Sequence, residues 1–173
     1  MTIQKFIARL NWRQVLIHFI ATWFFMYSFQ TLAVLHNTNL IDILRHSDKG
    51  DLSEALSKKQ VSATEVSYFV MWTSLSNTFG SLVAFIISLA ISIKRKWFWF
   101  NSIIVFVLVF ILSRYEQLGW NFLKNIFLTP GEIFGNIILE YLANGIILLT
   151  LGLLTFFSGK ANKFIAPGKT VAV

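Results

Sequence analysis

Residues 61–96 read VSATEVSYFVMWTSLSNTFGSLVAFIISLAISIKRK, and this stretch decides the fold. Ser62-Ala63-Thr64-Glu65 has the form of a capping box, in which a serine hydroxyl and a glutamate carboxylate satisfy two backbone donors that a helix start leaves orphaned. From Val66 to Ile93 there is neither a charge nor a proline, and Lys94-Arg95-Lys96 then stops the run. A bilayer needs about 20 apolar residues of helix. The spacing therefore predicts a transmembrane helix over 62–93, long enough for its first turns to project beyond the lipid.

The rest of the chain repeats this pattern. It is 55% hydrophobic and only 13% charged, whereas a soluble domain carries about a quarter charged residues. Too few charges are present to coat a soluble surface, so lipid is the expected solvent. A first span is expected at about 12–35, with Asn11 as its cap and Gln14 returning the hydrogen bond. No small-x-small cleavage site follows this run, so it is read as a retained helix rather than a signal peptide. A third span follows the basic turn over about 97–113. Thr129-Pro130-Gly131-Glu132 has a cap, a proline at the first helical position and a glutamate at the third, which predicts a fourth span over about 130–157 with Ser158-Gly159 as its stop.

Two segments outside these spans are amphipathic. Residues 1–10 place Ile3, Phe6, Ile7 and Leu10 on one stripe, as in a helix lying in the headgroup region. The outer loop, 36–61, mixes charges with Leu40, Ile41, Ile43, Leu44, Leu52 and Leu56, which suits one or two short helices with a turn at Asp48–Asp51. The expected fold is a single-domain, all-α membrane protein covering 1–173, a four-transmembrane-helix bundle.

Lys and Arg counts set the expected orientation. Lys5, Arg9, Arg13, Lys94, Arg95, Lys96, Lys160, Lys163 and Lys169 fall on one side, while seven of the eight acids fall on the other. The first side is expected to be cytoplasmic, with both termini there and a bacterial inner membrane as the default setting. Cytoplasmic flanks facing anionic lipid explain the net charge of +7 better than nucleic acid does, so lipids are the expected partners.

Chemistry is sparse. The absence of cysteine excludes a disulfide framework, a thiol nucleophile and a thiolate metal site. No metalloprotease, serine-hydrolase or phosphate-loop pattern occurs, so no catalytic residue, metal or cofactor is assigned. His18 has no second histidine at its depth, and His36 and His46 belong to a solvated loop. Ser76, Gly80, Ala84, Ser88 and Ser92 recur every fourth residue, a strip that permits close helix packing in lipid. Glu140 is the one acid expected inside a span, about 12 Å along the axis from Glu132. A charge there costs a few kcal/mol, so it should face the bundle, be paired or carry a proton. Asn136 and Asn144 flank it one turn away on each side. Gln30, Asn77 and, at the outer end of the third span, Arg114 are expected at similar depth.

These features define three expectations. The first is a non-enzymatic accessory protein that associates with a membrane partner, itself or lipid through the small-residue strip. The alternative is a transporter or binding protein for a small solute, proton or cation at the polar layer around Glu140. The third is an enzyme acting on a lipid-borne substrate.

Overall fold

The computed structural model describes residues 4, 7–46, 56–114 and 129–166. Every element in them is helical: α1 (Trp12–Val34), α2 (Thr38–His46), α3 (Ala63–Lys94), α4 (Phe100–Arg114), α5 (Ile137–Phe157) and α6 (Gly159–Ile165), with 3-10 turns at Leu35–Asn37 and Thr129–Phe134. Three helical stretches are long and apolar enough to cross a membrane: Trp12–Ile43, Ala63–Lys94 and Ile137–Phe157. α4 is equally apolar but has 15 residues, or about 22 Å of helix against about 30 Å of hydrocarbon. Most of the expected helix at residues 1–10 and the turn at Asp48–Asp51 lie outside the described residues.

α1 is the central helix. Six consecutive residues, Ala21 to Met26, are buried. At 100° per residue, six positions cover the whole circumference, so neighbours surround it on every side. Val15, Trp23 and Met26 pack with Val105 and Val109 of α4 and Leu148 of α5; Ala21 and Phe25 pack with Ala84 and Ile91 of α3 and Phe156 of α5.

α3 starts where its sequence says it should. Ser62 Oγ accepts from Glu65 N, and a Glu65 carboxylate oxygen accepts from Ser62 N at 2.8 Å. Gly80, Ala84, Ser88 and Ser92 of its small-residue strip are buried inside the chain. Gly80 lies against α1 so closely that a Cβ there would come within 2.8 Å of Phe25 O. Bulky residues including Trp72, Leu75, Phe79, Leu82 and Ile86 are exposed on its other faces, as lipid contact requires.

α3 ends in a tight reversal. Trp97 N donates to Ser92 O at 2.8 Å and Lys96 N to Ile93 O at 3.1 Å, while Lys96 has φ +55°. This is a Schellman ending with lysine in the position that usually favours glycine.

α5 begins later than 130. Gly135, at φ +59°, breaks the chain between the 3-10 turn and the helix, and Asn136 then caps it by accepting from Ile138 N and Leu139 N. Pro130 and Glu132 belong to the separate turn, and Glu140 lies in the first turn of α5 instead of two turns inside it. At the far end Ser158 Oγ accepts from Ala161 N to start α6, so Gly159 begins a helix instead of stopping one.

The ends of the helices sort the charges. Asn11 Nδ2 donates to Ile165 O at 2.9 Å, and Asn11 N to Asn101 Oδ1 at 3.3 Å. These bonds gather the start of α1, the α3–α4 turn and α6 at one end, which holds Arg9, Arg13, Lys94, Arg95, Lys96, Lys160 and Lys163. The opposite end, closed by Leu40, Ile41 and Phe69 with Val66, Ile137 and Tyr141, holds every described acid, Asp42, Glu65, Glu132 and Glu140, together with Lys58 and Lys59.

Gly80→Val places side-chain atoms against the backbone of α1 and is expected to destabilise the fold by about 1–3 kcal/mol, measured as a fall in melting temperature in detergent. Gly159→Ala, where an added Cβ meets nothing within 4 Å, should leave that temperature unchanged.

Candidate functional site

Two polar layers cross the helical core, and their characters differ. The layer near the basic end is closed. Gln14 and His18 of α1, Ser88 and Ser92 of α3, and Asn101 and Ser102 of α4 are all fully buried. Their bonds form a directed circuit. Asn101 Nδ2 donates to Gln14 Oε1 at 2.7 Å, and Gln14 Nε2 donates to Ser92 Oγ at 2.7 Å. Ser92 spends its own hydrogen on Ser88 O at 2.8 Å, so across the 3.1 Å contact Ser102 Oγ donates to Ser92 Oγ. Ser88 Oγ donates to Ser102 Oγ at 2.8 Å. Each hydroxyl hydrogen is thereby committed, and the 2.7 Å contact between His18 Nδ1 and Ser88 Oγ needs the ring nitrogen as donor. Among the described residues no polar group bonds His18 Nε2; the ring lies at 5.2 Å from Phe156 and 6.1 Å from Trp97, centroid to centroid. This layer fastens three helices.

Gln14 was expected to return a bond to its helix cap. Instead its amide turns into the core, where it finds two partners, and Asn11 caps α1 alone by accepting from Arg13 N and Gln14 N.

The second layer is open. α3 and α4 leave their shared turn in close contact, as the serine hydroxyls require. Further along, the Phe85 and Phe106 rings meet between the helices at 5.1 Å. Beyond that contact lies a cleft of about 520 Å³ between α1, α3 and α4, within the usual range for small-molecule sites. Its polar lining is Gln30, Ser74, Asn77, Thr78, Ser81 and Ser113; Met26, Phe106, Val109 and Phe110 supply apolar wall. Among the described residues no charged side chain lines it. Thr78, Val107 and Phe110 are exposed at its rim, so the cleft opens through the side of the molecule.

The residues proposed from sequence for one polar layer thus fall into two places. Gln30 and Asn77 meet in the cleft, with Asn77 Nδ2 donating to Gln30 Oε1 at 3.1 Å. Asn136, Glu140 and Asn144 belong to α5 and do not line it. Asn136 is the exposed cap of that helix. Glu140 is 8% exposed and sits in the first helical turn, where the helix dipole favours negative charge. Asn144 Oδ1 accepts from Gly131 N at 2.9 Å, tying the 3-10 turn to α5. The side chain of Arg114 lies outside the described residues. Sequence reading missed the closed circuit. Counting outward from the Lys94–Lys96 turn brings Ser88 and Ser92 level with Asn101 and Ser102, and that count was the available signal.

His36 packs on Phe69 at 6.2 Å, and Asp42 accepts from Lys59 Nζ at 3.1 Å. Among the described residues no group of three His, Asp or Glu side chains is arranged to hold a metal ion. No family model, curated protein or solved structure matches the chain.

Gln14→Leu leaves Asn101 and Ser92 each short of a partner and is expected to cost about 1–3 kcal/mol. Adding Asn101→Leu, which also removes the acceptor of Asn11 N, should cost less than in the natural chain, with a coupling of at least about 0.5 kcal/mol in thermal unfolding. Strictly additive losses would mean that the two amides act independently.

Proposed function

We propose that the protein is a membrane protein with four spans and both ends cytoplasmic, and that it binds a small uncharged molecule drawn from the membrane in the cleft between α1, α3 and α4. The carrying observation is the cleft itself. Its volume suits a ligand, it opens sideways, and a hydrogen-bonded amide pair forms part of a lining that carries no charge among the described residues. A layer made only to hold helices together has no reason to stay open, and the closed circuit nearer the basic end already supplies that function.

This reading develops the expected binding protein for a small solute, moved from the surroundings of Glu140 to Gln30 and Asn77. Association through the small-residue strip has less support, because Gly80, Ala84, Ser88 and Ser92 are buried within the chain. The four-span count rests on α4 crossing with the apolar residues Trp97, Phe98 and Trp99 before it. The orientation rests on the basic residues gathered at one end of the molecule.

Two experiments test these claims. The natural chain has no cysteine, so a single cysteine reports its own side of the membrane. An impermeant maleimide is expected to label Lys58→Cys in intact cells and Lys160→Cys only after the membrane is opened. Labelling of both from one side would mean that α4 does not cross. For the cleft, Val107 is 46% exposed at the rim, and Val107→Trp should narrow the mouth without disturbing the core. Protein gently extracted from membranes is expected to carry a bound neutral molecule in native mass spectrometry, and this variant to lack it. Equal loading of both proteins would remove the cleft as the site.

A further inference from the structure

We infer that the basic end of the molecule is a docking surface for anionic phospholipid, assembled by the fold from three segments distant in sequence. Asn11, through its bonds to Ile165 O and Asn101 Oδ1, ties the start of α1 to α6 and to the start of α4. Arg13 Nη1 adds a bond to Phe164 O at 3.4 Å. α6 therefore lies folded back on the bundle, with Asn162 and Ile165 buried and Lys160, Lys163 and Phe164 exposed. None of these residues is among those that line the cleft.

The charge gathered here is not compensated from within the chain. Among the described residues no cation of this end forms an ion pair, whereas Lys59 at the other end pairs with Asp42. The segments that build the basic end have no acid to offer: residues 1–41, 66–115 and 141–173 contain no Asp or Glu. Like charges held this close repel one another, so an anion supplied from outside stabilises the surface.

Two of the cations are already oriented for such an anion. The Arg13 guanidinium carbon lies 5.2 Å from the centre of the Phe164 ring, and that of Arg95 lies 5.2 Å from the centre of the Trp97 ring. A guanidinium resting on an aromatic face keeps N–H groups at its edge, in a fork that matches two phosphate oxygens.

Hydrocarbon is interleaved with the charge. Trp12 beside Arg13, Ile93 beside Lys94 and Phe164 beside Lys163 are all exposed. A phospholipid brings both an anionic head and acyl chains to that mixture. A nucleic acid or an acidic protein surface would meet the cations and leave these apolar side chains without a match.

The test measures binding of three soluble probes to the purified protein in neutral detergent: dioctanoyl phosphatidylglycerol, dioctanoyl phosphatidylcholine and glycerol 3-phosphate. The two lipids share their chains and differ in headgroup charge. Phosphatidylglycerol is expected to bind about tenfold more tightly than phosphatidylcholine, since each basic residue near an anionic head adds about fivefold. Glycerol 3-phosphate, which has no chains, should not bind measurably. Lys160→Gln/Lys163→Gln should remove most of the preference, whereas Lys58→Gln/Lys59→Gln, an equal loss of charge at the other end, should keep it. All four lysines are exposed, so both variants retain the fold. Val107→Trp, which narrows the cleft, should keep the preference as well. Equal binding of the two lipids, an equal effect of the two lysine pairs, or glycerol 3-phosphate binding as tightly as the lipid would each overturn the surface. Loss of the preference in Val107→Trp would overturn it too, by moving the anionic lipid to the cleft.

Discussion

A buried polar group away from water must find a partner, and the whole arrangement of helices depends on how α1 meets that demand. Gln14, His18, Thr22 and Ser28 are all buried in the central helix. Thr22 bonds within its own helix, to His18 O, and the other three reach across. Gln14 bonds Ser92 and Asn101, His18 bonds Ser88, and Ser28 Oγ donates to Gly145 O at 2.7 Å. Those contacts set the depth of α3, α4 and α5 along α1. Each is worth only about 0.6 kcal/mol on average in a membrane protein. Their value lies in specificity: a slide of one residue orphans several groups at about 1–3 kcal/mol each.

The same demand explains why the core is closed at one end and open at the other. Serines at Ser88, Ser92 and Ser102 let α3 and α4 approach until their hydroxyls touch. Phenylalanines at Phe85 and Phe106 then fill the space between the two helices. The cleft is lined by Gln30 and Asn77, which keep unused hydrogen-bonding capacity after bonding one another. One hairpin therefore carries both a fully buried polar base and an open cleft. α5 packs against another side of α1, where Gly152 faces the Phe25 ring so closely that an added Cβ would lie 2.7 Å from it.

Features carried by neighbouring residues were legible in the sequence. The capping box at Ser62 and Glu65, the three long apolar helices and the basic stop at Lys94–Lys96 depend on local chemistry. What involved competition or distance was less legible. Two caps compete before α5, and Asn136 wins because Gly135 breaks the chain in front of it. Gln14 has both a local partner and distant ones, and the distant ones win because they share a buried site. The strip on α3 was visible as a packing surface, yet its partner was not, since small residues do not say which helix they meet. His18 looked isolated because its partner Ser88 lies 70 residues away. Gln30 and Asn77 hydrogen-bond one another, whereas Glu140 was drawn to their depth only through a helix start seven residues too early.

A directed hydrogen-bond circuit fixes α1 among its neighbours, and the ring of His18 reports its direction. Nitrogen NMR of histidine-labelled protein, with His36 and His46 replaced, reads which ring nitrogen carries the proton. The circuit requires a proton on Nδ1, bonded to Ser88, with Nε2 bare, and a loss of that fixed tautomer in Ser88→Ala. A proton on Nε2, or rapid exchange between the two nitrogens in the otherwise natural chain, would contradict the circuit.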